Sequence, residues 1–127
     1  MENTELHTYK LDNEEKFGEV RIADEVVAII AGLAASEVEG VASMAGNVTR
    51  DLIGKLGMMS LSKGVKITMD EKTVHVALAI NIQYGYNVPT TCAKIQEKVK
   101  TAIETMTGLD VAEVNIKIVN VQMANNE

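Results

Sequence analysis

The sequence predicts an α+β fold of two layers, in which a mostly antiparallel sheet packs against helices on one face. Three patterns indicate this fold. Between Pro89 and Met106, apolar residues recur at spacings of three and four, as in an amphipathic helix. From Val65 to Tyr84, and again from Val114 to Ile118, they recur at every second position, as in strands covered on one face. Together with the segments below, the predicted order is β-α-β-α-β-β-α-β.

The first two elements are a short strand at 17–22 and a helix from Asp24 to about Glu37. The carboxylate of Asp24 suits the unpaired backbone N–H groups of a helix N-terminus. Because this helix is apolar around nearly its whole circumference, it either lies at the centre of the domain or packs its back against another molecule. Gly32 lies among alanines and would let a second backbone approach closely, so it is a candidate contact residue.

The middle of the chain predicts a strand at 38–45, a weak helix and a hairpin. The segment 46–64 contains four glycines, and its apolar residues fit a short amphipathic helix that glycine weakens. A strand at 65–69 turns at 70–72 into a longer strand whose core-facing residues run from Val74 to Tyr84, which predicts a β-hairpin. The opposite side, facing solvent or a partner, is expected to carry His75, Ala77, Ala79, Asn81 and Gln83.

The last unit, at 89–123, consists of a helix and a strand. Pro89 suits the helix start because its missing N–H would be unpaired there, and Gly108 suits the end because it tolerates left-handed backbone. After Ile118 the alternation slips by one residue, which indicates either a β-bulge or a strand end covered on its second face by another element or subunit. The apolar residues beyond the slip are Val119, Val121 and Met123, which we take as candidate contact residues. The predicted apolar stripe of the helix consists of Cys92, Ile95, Val99, Ile103 and Met106.

The composition fits one domain without disulfide bonds or a metal site. A chain of 127 residues with 46% hydrophobic residues can bury a core by itself. The single Cys92 excludes an internal disulfide, and neither histidine has the spacing or neighbours of a metal ligand. We therefore predict a disordered acidic tail at 1–16, a folded domain at 17–123 and a short tail at 124–127.

Charge and hydropathy argue against several classes of partner. The net charge is −6 and the segment 1–16 supplies half of it, so the domain lacks the basic patch that nucleic acid or anionic lipid requires. With three Tyr, one Phe and no Trp, platforms for base stacking are scarce. The longest uncharged apolar run, at 26–35, is about half of the roughly 20 residues that span a membrane. The polar amino terminus does not resemble a signal peptide, so a cytoplasmic location is expected.

No motif in the sequence points to catalysis. Cys92 lies on the apolar stripe of its helix, which favours a buried structural thiol over a nucleophile. His75 is an isolated strand histidine, which is more often structural than functional. A phosphate-binding loop would need glycine at 49 and Ser or Thr at 56, where the chain has Thr49 and Leu56. We therefore predict no catalytic, cofactor-binding or metal-binding residues.

A lysine cluster on the last helix allows two interpretations. Lys94, Lys98 and Lys100 could attract a phosphate or an acidic partner. Glu97 and Glu104 interrupt the cluster, which favours a solvated charged face.

Five stretches of the sequence, taken in order, resemble a known family. They are Gly18–Val27, Glu37–Val41, Tyr84–Tyr86 with Val88–Pro89, Lys94–Val99, and Met106–Ile116. Together they resemble the alkaline shock protein family, the envelope stress response proteins of Gram-positive bacteria, over about 17–123. Each stretch alone is weak, but the ordered series is specific.

The resemblance implies a small cytosolic protein without enzymatic activity or cofactor that self-associates as a homo-oligomer. Some members of the family are held at the inner membrane surface by a small membrane-anchored partner and take part in envelope homeostasis. Another branch, to which the short acidic head and plain tail are closer, is associated with acetyl-CoA carboxylase and the control of fatty acid synthesis. A small-ligand binder or enzyme that uses Cys92 or the glycine-rich segment is a third alternative.

Overall fold

The computed structural model describes residues 6–9, 18–44 and 62–123. Within these residues the strands are β1 (Leu6–Tyr9), β2 (Val20–Ala23), β3 (Val41–Met44), β4 (Val65–Asp70), β5 (Thr73–Gln83) and β6 (Asp110–Gln122). The helices are α1 (Asp24–Ser36) and α2 (Val88–Thr107).

Strand β5 is the centre of the larger sheet. One of its edges pairs in parallel with β6 from Thr73 to Gln83. Its other edge pairs antiparallel with β4 along the first half and with β3 along the second half. Strands β1 and β2 form a separate antiparallel pair. The predicted α+β fold with a mostly antiparallel sheet is confirmed, and α2 provides the crossover that the parallel pair β5–β6 requires.

The core lies between the larger sheet and the two helices. Helix α1 packs on β3 and β4, α2 packs on β6, and the helices pack against each other. Helix α1 buries seven of its 13 residues, so it is a core helix. The side chains that β5 contributes at every second position are at most 2% exposed, namely Val74, Val76, Leu78, Ile80 and Ile82.

The ends of α2 follow from its local sequence. Asn87 is the N-cap residue, and its side chain accepts a hydrogen bond of 2.9 Å from the backbone N–H of Thr90. Pro89 lies in the first turn, and Gly108 ends the helix with a left-handed φ of 78°. The predicted roles of Pro89 and Gly108 are confirmed, whereas the cap at Asn87 was not predicted.

The amino-terminal part differs from prediction in one place. Leu6–Tyr9 form β1, so the expectation of a disordered tail at 1–16 is wrong for these four residues. Their backbone pairs with β2, and this pairing does not depend on a long apolar run. Phe17, the rest of the expected tail at 1–16 and the tail at 124–127 lie outside the described residues, as does the weak helix expected at 46–64 up to residue 61.

Two residues of the β-hairpin also differ from prediction. Tyr84 was expected to face the core, but β5 ends at Gln83 and the Tyr84 side chain is 66% exposed. Asn81 was expected to face solvent or a partner, but it is only 5% exposed. Its Nδ2 donates a hydrogen bond of 2.8 Å to Ser43 Oγ, which gives each of these two buried side chains a polar partner.

Candidate interaction surfaces

The last residues of β6 carry apolar side chains that the described chain does not cover. Val121 pairs with the buried Ile82 and so points to the same face of the sheet as the core, yet it is 50% exposed. Val111 and Val114, earlier on the same strand, are only 7% and 8% exposed. Helix α2 therefore covers the first residues of β6 but not the last ones.

The lengths of the two elements explain this loss of cover. Gly108 and Leu109 alone separate α2 from β6, so the two elements start side by side at that end. The 20 residues of α2 span about 30 Å, whereas the 13 residues of β6 span about 43 Å. About 13 Å of strand, or roughly four residues, therefore extends beyond the helix.

A β-bulge lies at the position of the phase slip. Ile118 pairs with Ile80 and Asn120 with Asn81, which leaves Val119 as the extra residue. Of the two interpretations of the slip, the structure thus shows the bulge. Val119 is 51% exposed and Met123 is 72% exposed. We call Val119, Val121 and Met123 the strand-end surface; their contact with another molecule stays a prediction.

Tyr84 adds an aromatic side chain beside this surface. Its backbone N–H donates a hydrogen bond of 2.7 Å to the carbonyl of Gln122, which places Tyr84 next to the end of β6. The sequence contains a signal for this position, because a glycine, Gly85, follows Tyr84 directly and marks a turn. In the structure Gly85 has a φ of 103° in the turn after β5. Aromatic residues are enriched at protein interfaces, so Tyr84 belongs with the candidate contact residues.

A second apolar surface is a groove of about 400 Å³ between α1 and α2. Val26 and Met106, on opposite sides of it, are 48% and 69% exposed. Gly32 is buried within the chain, so a contact with α1 would be made by the groove residues and not by Gly32 itself. We call this surface the helix groove, and its apolar lining includes Val26, Ile29, Leu33, Ala102 and Met106.

The buried row of α2 is shifted by one residue from the predicted stripe at both ends. Cys92 is only partly buried and Met106 is exposed, so both differ from the prediction of core positions. Burial nevertheless raises the pKa of the Cys92 thiol, which lowers the fraction of reactive thiolate at neutral pH. The residues that α2 buries are Thr91, Ile95, Val99, Ile103 and Thr107.

Polar and charged side chains on α2 and the sheet lie against neighbouring carboxylates. The pairs made by Lys98 and Lys100 are what a solvated charged face would show, and the attraction of a phosphate or an acidic partner stays the alternative prediction. His75 also has a carboxylate partner on the next strand, which the sequence did not indicate. The nitrogen–oxygen distances are 3.5 Å for Lys98–Glu37, 2.7 Å for Lys100–Glu104 and 3.0 Å for His75–Glu113.

Two other kinds of feature are absent from the described residues. In 18–44 and 62–123, no group of three or more His, Cys, Asp or Glu is placed to hold a metal ion. Over the same part of the chain, neither helix is long and apolar enough to span a membrane.

Fold and surface together define a small two-layer α+β domain whose exposed apolar side chains include those at the end of β6 and in the groove between its helices. The chain belongs to the alkaline shock protein 23 family, described as having a cell envelope-related function, and the family model matches residues 12–123. The resemblance predicted from the five stretches of sequence is confirmed at this level.

Relatives of this chain include two proteins of Bacillus subtilis (strain 168) that carry no assigned function. YqhY is 37% identical over 114 residues, which cover 89% of this chain and 84% of YqhY. YloU is 32% identical over 112 residues, which cover 87% of this chain and 93% of YloU. A stress response regulator gls24 homolog of Streptococcus pyogenes serotype M3 is 35% identical over 106 residues, which cover 83% of this chain and 59% of that protein.

Among solved structures, a MamM CTD overlaps with 76% of this chain and 94% of its own at a TM-score of 0.48 and 14% identity. That likeness is too low to support an inference about function.

Proposed function

We propose that the chain is a non-enzymatic interaction protein in cell envelope stress or homeostasis, which acts through self-association and a membrane-anchored partner. One observation carries the proposal: apolar side chains of a small domain are exposed on two defined surfaces, the strand-end surface and the helix groove. Exposed apolar side chains that cluster on a small domain often mark protein contacts. The description of the family and the relative named as a stress response regulator support the envelope context.

The two surfaces lie far enough apart to be used at the same time. Ala102 and Met106 of the helix groove lie in the last turns of α2, whereas the strand-end surface lies beyond its first turn. The 14 steps along the helix from Val88 to Ala102 correspond to about 21 Å. We assign self-association to the strand-end surface and the partner to the helix groove. In this arrangement the protein is cytoplasmic and held at the inner face of the membrane by its partner.

The test of self-association uses a matched pair of variants on β6. Val121→Glu places a charge on the strand-end surface, and Asn115→Glu places the same charge at an exposed polar position of the same strand. We expect light scattering to show a lower mass for Val121→Glu and an unchanged mass for Asn115→Glu, with both far-UV spectra like that of the wild type. A wild-type protein that is monomeric at all concentrations would refute self-association, and a Val121→Glu variant that still assembles would refute this surface.

The test of the partner uses a second matched pair on α2. Met106→Glu charges the helix groove, and Thr105→Glu charges the adjacent exposed position. After cross-linking at endogenous expression in a Gram-positive host, we expect a small membrane protein to co-purify with the wild type and with Thr105→Glu but not with Met106→Glu. Equal recovery of the membrane protein with both variants would refute the helix groove as the partner's binding surface.

Regulation of acetyl-CoA carboxylase is the second candidate, and it rests on the family resemblance alone. The same purification separates it from the first, because carboxylase subunits would then co-purify in place of a membrane protein. An enzyme or small-ligand binder ranks third, since the helix groove is apolar and Cys92 has a raised pKa.

A further inference from the structure

Strand β6 lies at an edge of the larger sheet. It pairs with β5 on one side, and no described strand lies on the other. An unpaired edge of 13 residues presents a row of backbone N–H and C=O groups on which a strand of another molecule can add. Whether β6 can be extended in this way depends on what meets those groups.

Hydrogen bonds at the two ends of β6 fix which backbone groups face the open edge. The N–H of Asp110 donates to the carbonyl of Lys72 at 2.9 Å, and the carbonyl of Gln122 accepts from the N–H of Tyr84 at 2.7 Å. The backbone groups of Asp110 and Gln122 therefore face β5 and not the open edge. The pairing register shows one extra residue at Ala112 and another at Val119. The backbone groups of successive strand residues point to opposite edges, apart from the two extra residues. The residues whose N–H and C=O groups face the open edge are therefore Val111, Val114, Ile116, Ile118 and Val121.

At both ends of this open edge, side chains already form hydrogen bonds with backbone groups of β6. Three residues supply them: Glu104 and Gln96 from α2, and Asn120 from β6 itself. Glu104 Oε2 accepts from the N–H of Val111 at 3.0 Å, Gln96 Nε2 donates to the carbonyl of Val114 at 3.0 Å, and Asn120 Oδ1 accepts from the N–H of Val121 at 2.9 Å.

The helical part of this arrangement is itself held in place. Gln96, Lys100 and Glu104 follow at intervals of four on α2 and therefore form one row along the side of the helix above the edge. Lys100 Nζ lies 2.7 Å from Glu104 Oε2, which fixes the carboxylate in its capping position. A strand that approached β6 would have to displace this row and break the hydrogen bonds it makes.

We propose that Gln96, Glu104 and Asn120 form an edge guard that prevents β6 from pairing with a strand of a second copy or of another protein. Contacts of the chain with other molecules then run through side-chain surfaces and not through continuation of the sheet. The inference does not rest on the proposed function, because the edge guard would act in a monomer as well as in an assembly.

The test compares two triple variants of the full chain. Gln96→Ala, Glu104→Ala and Asn120→Ala together remove the edge guard. Lys94→Ala, Glu97→Ala and Thr101→Ala together change exposed positions of α2 that make none of the hydrogen bonds to β6 described above. Mass is measured by light scattering over a range of concentrations, and backbone amide exchange is measured at Ile116 and Ile118, whose N–H groups face the open edge.

We expect the variant without the guard to form species larger than any formed by the wild type, with its Ile116 and Ile118 amides protected in them. The association constant should rise about fivefold for each released group that gains a backbone partner. The control triple variant should match the wild type. If the triple variant does not fold, the pair Gln96→Ala and Asn120→Ala is expected to show the same effect at smaller size.

Two results would overturn the edge guard. One is a mass profile of the variant that coincides with that of the wild type at every concentration. The other is growth in mass without protection at Ile116 and Ile118, because association would then follow from loss of stability and not from pairing at β6.

Discussion

Replacement of Gly40 by alanine is expected to lower the free energy of unfolding by about 2–5 kcal/mol, in two separable parts. Gly40 has a φ of 102°, a conformation that costs a residue with a Cβ about 1–2 kcal/mol. A Cβ at this position would also lie 2.8 Å from Cδ2 and 3.0 Å from Cγ of the Tyr86 ring. Displacing the ring adds about 1–3 kcal/mol, as in other overpacked sites.

Gly85 provides the matched control for this prediction. Its φ is 103°, but a Cβ there would meet nothing within 4 Å, so Gly85→Ala carries the backbone strain alone, about 1–2 kcal/mol. Urea unfolding with unchanged slope measures both variants. In a Tyr86→Ala background, the cost of Gly40→Ala should fall towards that of Gly85→Ala in the wild type, with only the contact of 3.3 Å to Thr91 Cγ2 remaining. Equal losses for Gly40→Ala and Gly85→Ala in the wild type would refute the contact with the ring.

Three further predictions concern α2. Asn87→Ala should lower the unfolding free energy by about 1 kcal/mol through loss of the cap, and Asn87→Asp should not. Ile103→Ala should cost about 2–5 kcal/mol because Ile103 is fully buried, whereas Met106→Ala, 69% exposed, should cost under about 0.5 kcal/mol; equal losses would contradict the assignment of the core. The hydrogen bond from Lys100, and then that from the N–H of Val111, lower the pKa of Glu104 below its ordinary 4.5. The stability from Glu104 is therefore present above pH 4.5 and lost as the pH falls through the lowered pKa, so the difference between wild type and Glu104→Gln in urea unfolding should narrow on acidification.

Prediction from the sequence was accurate where burial of one face sets a local period. The alternation at 65–83 and the helical spacing at 89–107 located β4, β5 and α2, because each of these elements turns one continuous row of side chains towards the core. The rows of β5 and α2 are buried, and that of β4 is partly buried. Strand β1 was missed because it is held by backbone pairing with β2, which leaves no apolar period in the sequence. Pairing between distant strands, such as the parallel pair β5–β6, is likewise not encoded in local spacing.

The buried row of α2 shows why apolar letters alone misplace a stripe. The row begins at Thr91 and ends at Thr107, both polar by type. Thr107 can be buried because its Oγ1 donates to the carbonyl of Ile103 at 2.6 Å and accepts from the N–H of Leu109 at 3.1 Å. The apolar Cys92 and Met106 lie one position away from these threonines, where Cys92 is partly buried and Met106 is exposed.

Of the two candidate surfaces, the sequence located one and not the other. The phase slip after Ile118 marked the strand-end surface because surplus apolar positions on a strand are visible in its alternation. The helix groove was not located, since a helix that is apolar all round does not reveal which side its neighbours leave open. Placement of α2 beside α1 decides that side, and it puts Gly32 inside and Val26 outside.

The parallel pairing of β5 with β6 has a consequence for synthesis. From Gln83, at the end of β5, to Gln122, at the end of β6, the ribosome adds 39 residues, which takes about 2–8 s. During that interval the nascent chain already contains its central strand and both strands on one side of it, while the other side awaits a partner. Until β6 has been synthesised, the edge of β5 that it covers therefore lacks the strand that pairs with it in the folded domain.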